Sequence, residues 1–161
     1  MIIKRKKKIK IIEVGPRDGF QNIKKYIPLQ TKIEIISLLI KSGIKNIEIT
    51  SFVSPKAVPQ MKDSEQVVRI VKSKNIKNIN IIALVPNLYG AKLAKDLKVD
   101  CINFVVSTSE KHNMANMNRT IAESLDELKE ITKYYRQDKN SPQIKMGIAT
   151  AFGCPFEGFQ P

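Results

Sequence analysis

The strongest constraint on this fold is a repeated change of hydrophobic period. Short β-branched runs of strand length alternate without exception with segments whose apolar residues recur at helical spacing. Ile9 to Val14 is the first run, and Gly15-Pro16 cuts it off. Thr31-Lys32-Ile33-Glu34 reads as a capping box that opens a helix with Ile33, Ile36 and Ile40 on one face, closed by Ser42-Gly43. Ile44 to Thr50 is the next strand. The loop from Ser51 to Met61 carries two prolines, and long loops inside compact domains are usually functional. Asp63-Ser64-Glu65-Gln66 caps a second helix, with Val67, Ile70 and Val71 sharing a face. Ile79 to Val85 is almost wholly apolar, as suits a sheet covered on both sides. Ala91, Ala94 and Leu97 mark a short helix, and Cys101 to Ser107 a strand. A second capping box, Thr120 to Glu123, opens a long helix bearing Ile121, Leu125, Leu128 and Tyr135, and Gln143 to Thr150 is a further strand.

This alternation predicts right-handed βαβ units on a parallel sheet, about five of them. A closed (β/α)8 barrel needs eight strands and roughly 250 residues. The 161 residues therefore fit either a small open α/β domain or the first portion of a barrel, in a single domain with residues 1–8 as a basic leader.

A formal charge of +13 raises the question of nucleic acid, because clustered cations release counterions from phosphates. Outside the first ten residues the cations are dispersed and no aromatic-interleaved stripe appears, so the expectation is solvated surface and no nucleic-acid partner. No window approaches eighteen uninterrupted apolar residues, which excludes a membrane-spanning helix. The cations that follow Met1-Ile2-Ile3 lead into no apolar stretch or cleavage site, so a secretory signal is not expected. Cys101 at the entry of one strand and Cys154 past the exit of the next lie at opposite ends of a parallel sheet. A disulfide between them is not expected, and a reducing, cytoplasmic setting is.

Val14-Gly15-Pro16-Arg17-Asp18-Gly19-Phe20-Gln21-Asn22 sets a cation, an anion and an amide at the exit of the first strand. In parallel α/β sheets the carboxyl ends of the strands carry the chemistry. Asp18-Gly19 is also an ordinary turn signal, and the tripeptide alone does not separate a site from a solvated turn.

Read with Ile47 to Lys56 and Val58-Pro59-Gln60-Met61, this stretch resembles 3-hydroxy-3-methylglutaryl-CoA lyase. The similarity continues in the same order through Val85-Pro86-Asn87-Leu88, Ser109-Glu110, Asn113 to Asn118 and Gly153 to Gly158. The resemblance implies a TIM barrel of which only the N-terminal portion is present. It also implies a metal-assisted retro-Claisen cleavage of the acyl-CoA to acetyl-CoA and acetoacetate. Arg17 would face the thioester oxygen, with Glu48 orienting Arg17 or the metal shell. Asp18 would be the first ligand of Mg²⁺ or Mn²⁺, with Gln21 beside it as a substrate contact. Lys56, Asn87, Ser109, Asn113 and Asn116 stand on the same rim, where binding of substrate or CoA phosphates and plain loop capping or turn formation are equal readings for each.

The family's two late-strand histidines and its catalytic cysteine loop have no counterpart here. His112, the only histidine, reads as a residue of a polar surface loop, and Cys154 matches an earlier loop. A chain with a lone Asp ligand is expected to be inactive by itself, needing a missing C-terminal portion, with homo-oligomer formation also open. The alternatives are a Claisen-type synthase of the isopropylmalate, homocitrate or citramalate class, and a non-catalytic binding partner. The turn favours the lyase over the synthases, since Gly15-Pro16 precedes the pair and Gly19-Phe20-Gln21 follows it.

Overall fold

A computed structural model describes residues 9–159. Four parallel strands lie side by side in chain order: β1 (Asn46–Ser51), β2 (Asn80–Leu84), β3 (Cys101–Ser107) and β4 (Gln143–Ala149). Helices α1 (Leu29–Lys41), α2 (Ser64–Ser73), α3 (Leu88–Asp96), α4 (Glu110–Met117) and α5 (Ile121–Arg136) fill the connections. The strand order never doubles back, as it would in a doubly wound sheet. The architecture is therefore a partial barrel, with one face of the sheet under helices and the other turned inward.

The helix-covered face carries the core. Ile47, Ile49, Ile81, Val85, Ile102 and Phe104 pack against Ile33 and Ile36 of α1, Val67, Val68 and Val71 of α2, and Ile131 of α5. Each such side chain contributes roughly 1.5–3 kcal/mol by leaving water. Two apolar positions on the helices differ from the expected faces. Ile70 is exposed while its neighbour Val68 is buried, and Leu125 is exposed while Ile131 holds the centre of α5.

The expected first strand survives as one bridge. Glu13 pairs with Ile47, its amide donating to the Asn46 carbonyl at 3.0 Å and its carbonyl accepting from Glu48 at 2.8 Å. Ile9 and Ile11 are exposed, and with no neighbour on its far side among the described residues this run gains too little contact to be held as a longer strand. The described sheet therefore has four strands, where about five were expected. The basic leader, residues 1–8, lies outside the described residues.

Two of the three expected helix caps are not made. α1 begins at Leu29, after Pro28, and Thr31 and Glu34 are exposed residues on its first turns. Asp63 stands at the N-cap of α2, yet its carboxylate takes Lys32 Nζ at 2.7 Å and the Tyr26 hydroxyl at 2.7 Å instead of a backbone amide. A buried ammonium with few other partners outbids a backbone N–H for a carboxylate. The third box forms fully: Glu123 N–H donates to Thr120 Oγ1 at 3.1 Å, and Thr120 N–H to Glu123 Oε2 at 2.8 Å.

Helix α4 replaces an expected loop. Only Asn113 is buried on it, so its sequence carries no apolar period to read; the legible signal was Ser109, whose hydroxyl caps it by accepting from His112 N–H. His112 is accordingly a half-buried helical residue, with Nδ1 2.6 Å from Ser107 Oγ.

Candidate active site at the carboxyl rim

Gly15–Gly19 winds into a single π-helical turn, a rare geometry that concentrates at functional sites. The Arg17 and Asp18 amides both donate to the Val14 carbonyl, at 3.0 and 2.7 Å, which fixes the backbone of the pair. Glu13 Oε1 accepts from Gly15 N–H at 2.6 Å, and a Cβ on Gly15 would come within 2.8 Å of that oxygen. A side chain at position 15 would therefore push the Glu13 carboxylate out of this bond.

Arg17 reaches from this turn to the inner face of the sheet. Its Nε donates to Glu48 Oε1 at 2.5 Å, and its Nη1 to Asp18 Oδ1 at 2.7 Å. Glu48 is completely buried, with its second oxygen taking Asn103 Nδ2 at 2.9 Å. The result is a chain of contacts, Asp18, Arg17, Glu48 and Asn103, that spans three of the four strands and holds the guanidinium in one orientation. Arg17 Nη2 has no protein partner among the described residues. Asn103 is the member that sequence reasoning missed. Its signal was available: a lone amide in the otherwise apolar run Cys101-Ile102-Asn103-Phe104-Val105-Val106.

The remaining expected site residues separate into three groups. Gln21 is exposed two residues beyond the turn, and Asn116 is exposed on α4. Asn87 uses its side chain to cap α3, accepting from Gly90 N–H at 2.9 Å. Asn113 does not face the rim: it is fully buried, its Oδ1 accepting from Ser107 N–H and its Nδ2 donating to the Arg119 and Thr120 carbonyls and Ser124 Oγ. Its expected substrate contact is therefore corrected to a structural role, because every polar atom of its side chain is already engaged. Ser109 is likewise buried and engaged, while Lys56 is exposed.

Behind the rim, the turn after β4 is tied to α4. Cys154 Sγ donates to Ser109 Oγ at 2.9 Å, and the Ser109 hydroxyl donates to Glu157. The Ser109 hydroxyl, helped by the Lys111 amide, holds the Glu157 carboxyl below the usual carboxylate range against the opposing effect of desolvation. Both cysteines are buried free thiols.

A hard divalent cation would find one suitable oxygen donor here. Asp18 is 55% exposed and gives one oxygen to Arg17, and among the described residues no group of three His, Cys, Asp or Glu side chains could hold a metal. The residues present fit such an ion as one part of a donor set only.

The HMGL-like family model matches residues 8–159. The hydroxymethylglutaryl-CoA lyase of Bacillus subtilis is 38% identical over 151 residues, which cover 94% of this chain and 49% of the relative. The (R)-citramalyl-CoA lyase of Chloroflexus aurantiacus is 36% identical, with 94% and 50% covered. Among solved structures, an HMG-CoA lyase from Acinetobacter baumannii in complex with coenzyme A and 3-methylmalate superposes with a TM-score of 0.87 at 39% identity, over 93% of this chain and 48% of that one. The chain thus spans about half the length of these relatives.

Proposed function

The chain belongs to the HMGL-like family, and we propose that it supplies the Arg17 side of a carbon-carbon lyase site that cleaves 3-hydroxy-3-methylglutaryl-CoA to acetyl-CoA and acetoacetate. In that reaction the tertiary hydroxyl loses its proton and becomes the ketone of acetoacetate. The electron pair of the broken carbon-carbon bond moves onto the thioester as an enolate. Negative charge therefore develops on the thioester oxygen, and the barrier falls if a fixed donor already points there. Arg17 is such a donor: Glu48 and Asp18 occupy Nε and Nη1, and Nη2 is left for the substrate. That unpartnered Nη2 on a guanidinium clamped by a fully buried carboxylate is the observation that carries the reading.

Asp18 would serve as one ligand of Mg²⁺ or Mn²⁺, which supplies Lewis acidity to the substrate's hydroxyl and carboxylate oxygens when bound. Gln21, Asn87 and Asn116 remain substrate-side candidates, Asn87 through whichever atoms its cap leaves over. The named lyase relatives favour a lyase over a synthase, and the citramalyl-CoA enzyme among them makes a neighbouring 3-hydroxyacyl-CoA the second substrate to assay. The two buried thiols fit a reducing, cytoplasmic compartment. Among the described residues no helix is long and apolar enough to cross a membrane.

The test is Mg²⁺-dependent acetoacetate release. The 161-residue chain alone is expected to show none, and activity is expected once the remaining barrel strands are supplied as a second polypeptide. Arg17→Met in that assembly should lower turnover by about 100- to 1000-fold. Full turnover by the chain alone, or an unaffected R17M, overturns the reading. An inert assembly leaves a non-catalytic binding role.

A further inference from the structure

Asn103 is only 6% exposed, and its two polar atoms look in opposite directions along the sheet. Nδ2 is turned toward β1 and donates to Glu48, while Oδ1 lies on the β4 side, where a Cβ added to Gly147 would stand 3.5 Å from it. That oxygen is buried and has no hydrogen-bond partner, and leaving such an acceptor unmade costs about 1–3 kcal/mol. A donor is therefore called for from β4.

The register says which residue can give it. Asn103 pairs with Lys145, and side chains alternate along a strand, so the inward row of β4 is Gln143, Lys145, Gly147 and Ala149. Of these only Gln143 and Lys145 carry donors, and Lys145 is the one level with Asn103. Lys145 is exposed and makes no ion pair among the described residues. Burial pushes the Cys101 thiol up and the charges of Lys145 and Lys10 oppose it, so the Lys145 charge is felt at the inward position two residues before Asn103. An ammonium on a four-carbon stem reaches a neighbouring strand easily.

We propose that Lys145 is a positioning residue of the Arg17 site: its ammonium, exposed in this structure, folds down from β4 to donate to Asn103 Oδ1, fixing the amide so that Nδ2 stays on Glu48 and Glu48 stays on Arg17. The contact chain then runs across the whole sheet, from the exposed Asp18 to the last strand. Its catalytic meaning rests on the reading of Arg17 as the thioester donor, but its test needs no turnover.

The side-chain Nε–H of Arg17, watched by nitrogen-15 NMR in the 161-residue chain, reports whether its bond to Glu48 is held. Lys145→Met should accelerate its exchange with water by about threefold or more and move its resonance, while Lys145→Arg should restore the wild-type behaviour. Lys98→Met, a cation at the opposite end of the sheet, serves as the control for lost charge. In the wild-type chain the Lys145 ammonium should also show a scalar coupling to the Asn103 side-chain carbonyl. An Arg17 signal unchanged in K145M, or altered equally in K98M, overturns the proposal. Should K145M fail to fold, absence of that coupling in the wild type overturns it. Loss of acetoacetate release in an assembly whose Arg17 signal behaves as described would count against the lyase reading alone.

Discussion

At the scale of single residues, the chemistry depends on which hydrogen-bonding directions are left free. Arg17 has five N–H donors, and two neighbours take a pair of them in directions set by a π-helical turn and a buried strand position. The latch behind the rim follows the same logic. Glu157 is held below its ordinary pKa chiefly by the Ser109 hydroxyl. A depressed carboxyl stabilises the folded state above its unfolded value of 4.5, and that contribution disappears as pH falls through the folded value. Ser109→Ala should therefore be less stable than wild type at pH 7 by urea denaturation. The gap should narrow below about pH 4, leaving the share that comes from the α4 cap. A gap independent of pH would show that Glu157 contributes nothing through Ser109.

At the scale of elements, one buried network holds the turn that carries the site. Lys32 on α1 is only 3% exposed and binds Asp63 and the Gln60 carbonyl. Gln60 in turn donates to the Ile23 and Lys25 carbonyls, both at 2.7 Å, and accepts from Ile27 N–H. The segment after Arg17 and Asp18 is thereby pinned to the 59–63 loop. Lys32→Met leaves Asp63 buried with Tyr26 as its main partner, and should cost about 3 kcal/mol, read as a lower urea midpoint with an unchanged slope. Burial, with Asp63 beside it, pushes the Tyr26 hydroxyl up to about 12. Its stabilising contribution is present below the unfolded tyrosine value of 10 and is lost as pH rises through about 12, so tyrosinate absorbance in the folded wild type should lag that in the unfolded chain. A late-titrating tyrosine equally present in unfolded chain would remove the argument.

At the scale of the whole molecule, β4 has no neighbouring strand on its outer edge among the described residues. Ile148 is 59% exposed and Met146 43%, and the adjoining face of α5 borders a cavity of about 610 Å³ lined in part by Leu125, Leu128 and Thr132. An unpaired strand edge flanked by apolar surface is a template for association. Gel filtration should show an apparent mass above the 18.2 kDa of one chain that falls on dilution, and Ile148→Lys should shift the protein toward monomer. A wild-type chain monomeric at all concentrations would mean that this edge is self-sufficient.

The alternation of periods fixed the class of fold, because strand and helix each leave a local mark on where apolar residues fall, and four of the strands lie where that mark places them. The turn that bears Arg17 and Asp18 was legible for the same reason: Gly15-Pro16 ends a run locally. The caps at Thr31 and Asp63, the helix at Glu110–Met117 and the roles of Asn103 and Asn113 were decided only in three dimensions. Each turns on a partner far away in sequence or on a competition between two partners for one group. Asp63 abandons its own helix for an ammonium 31 residues away, and Glu48 meets its amide across 55 residues. Local sequence states what each group can bond; packing settles which of those bonds water is excluded from, and those are the ones that hold the guanidinium in place.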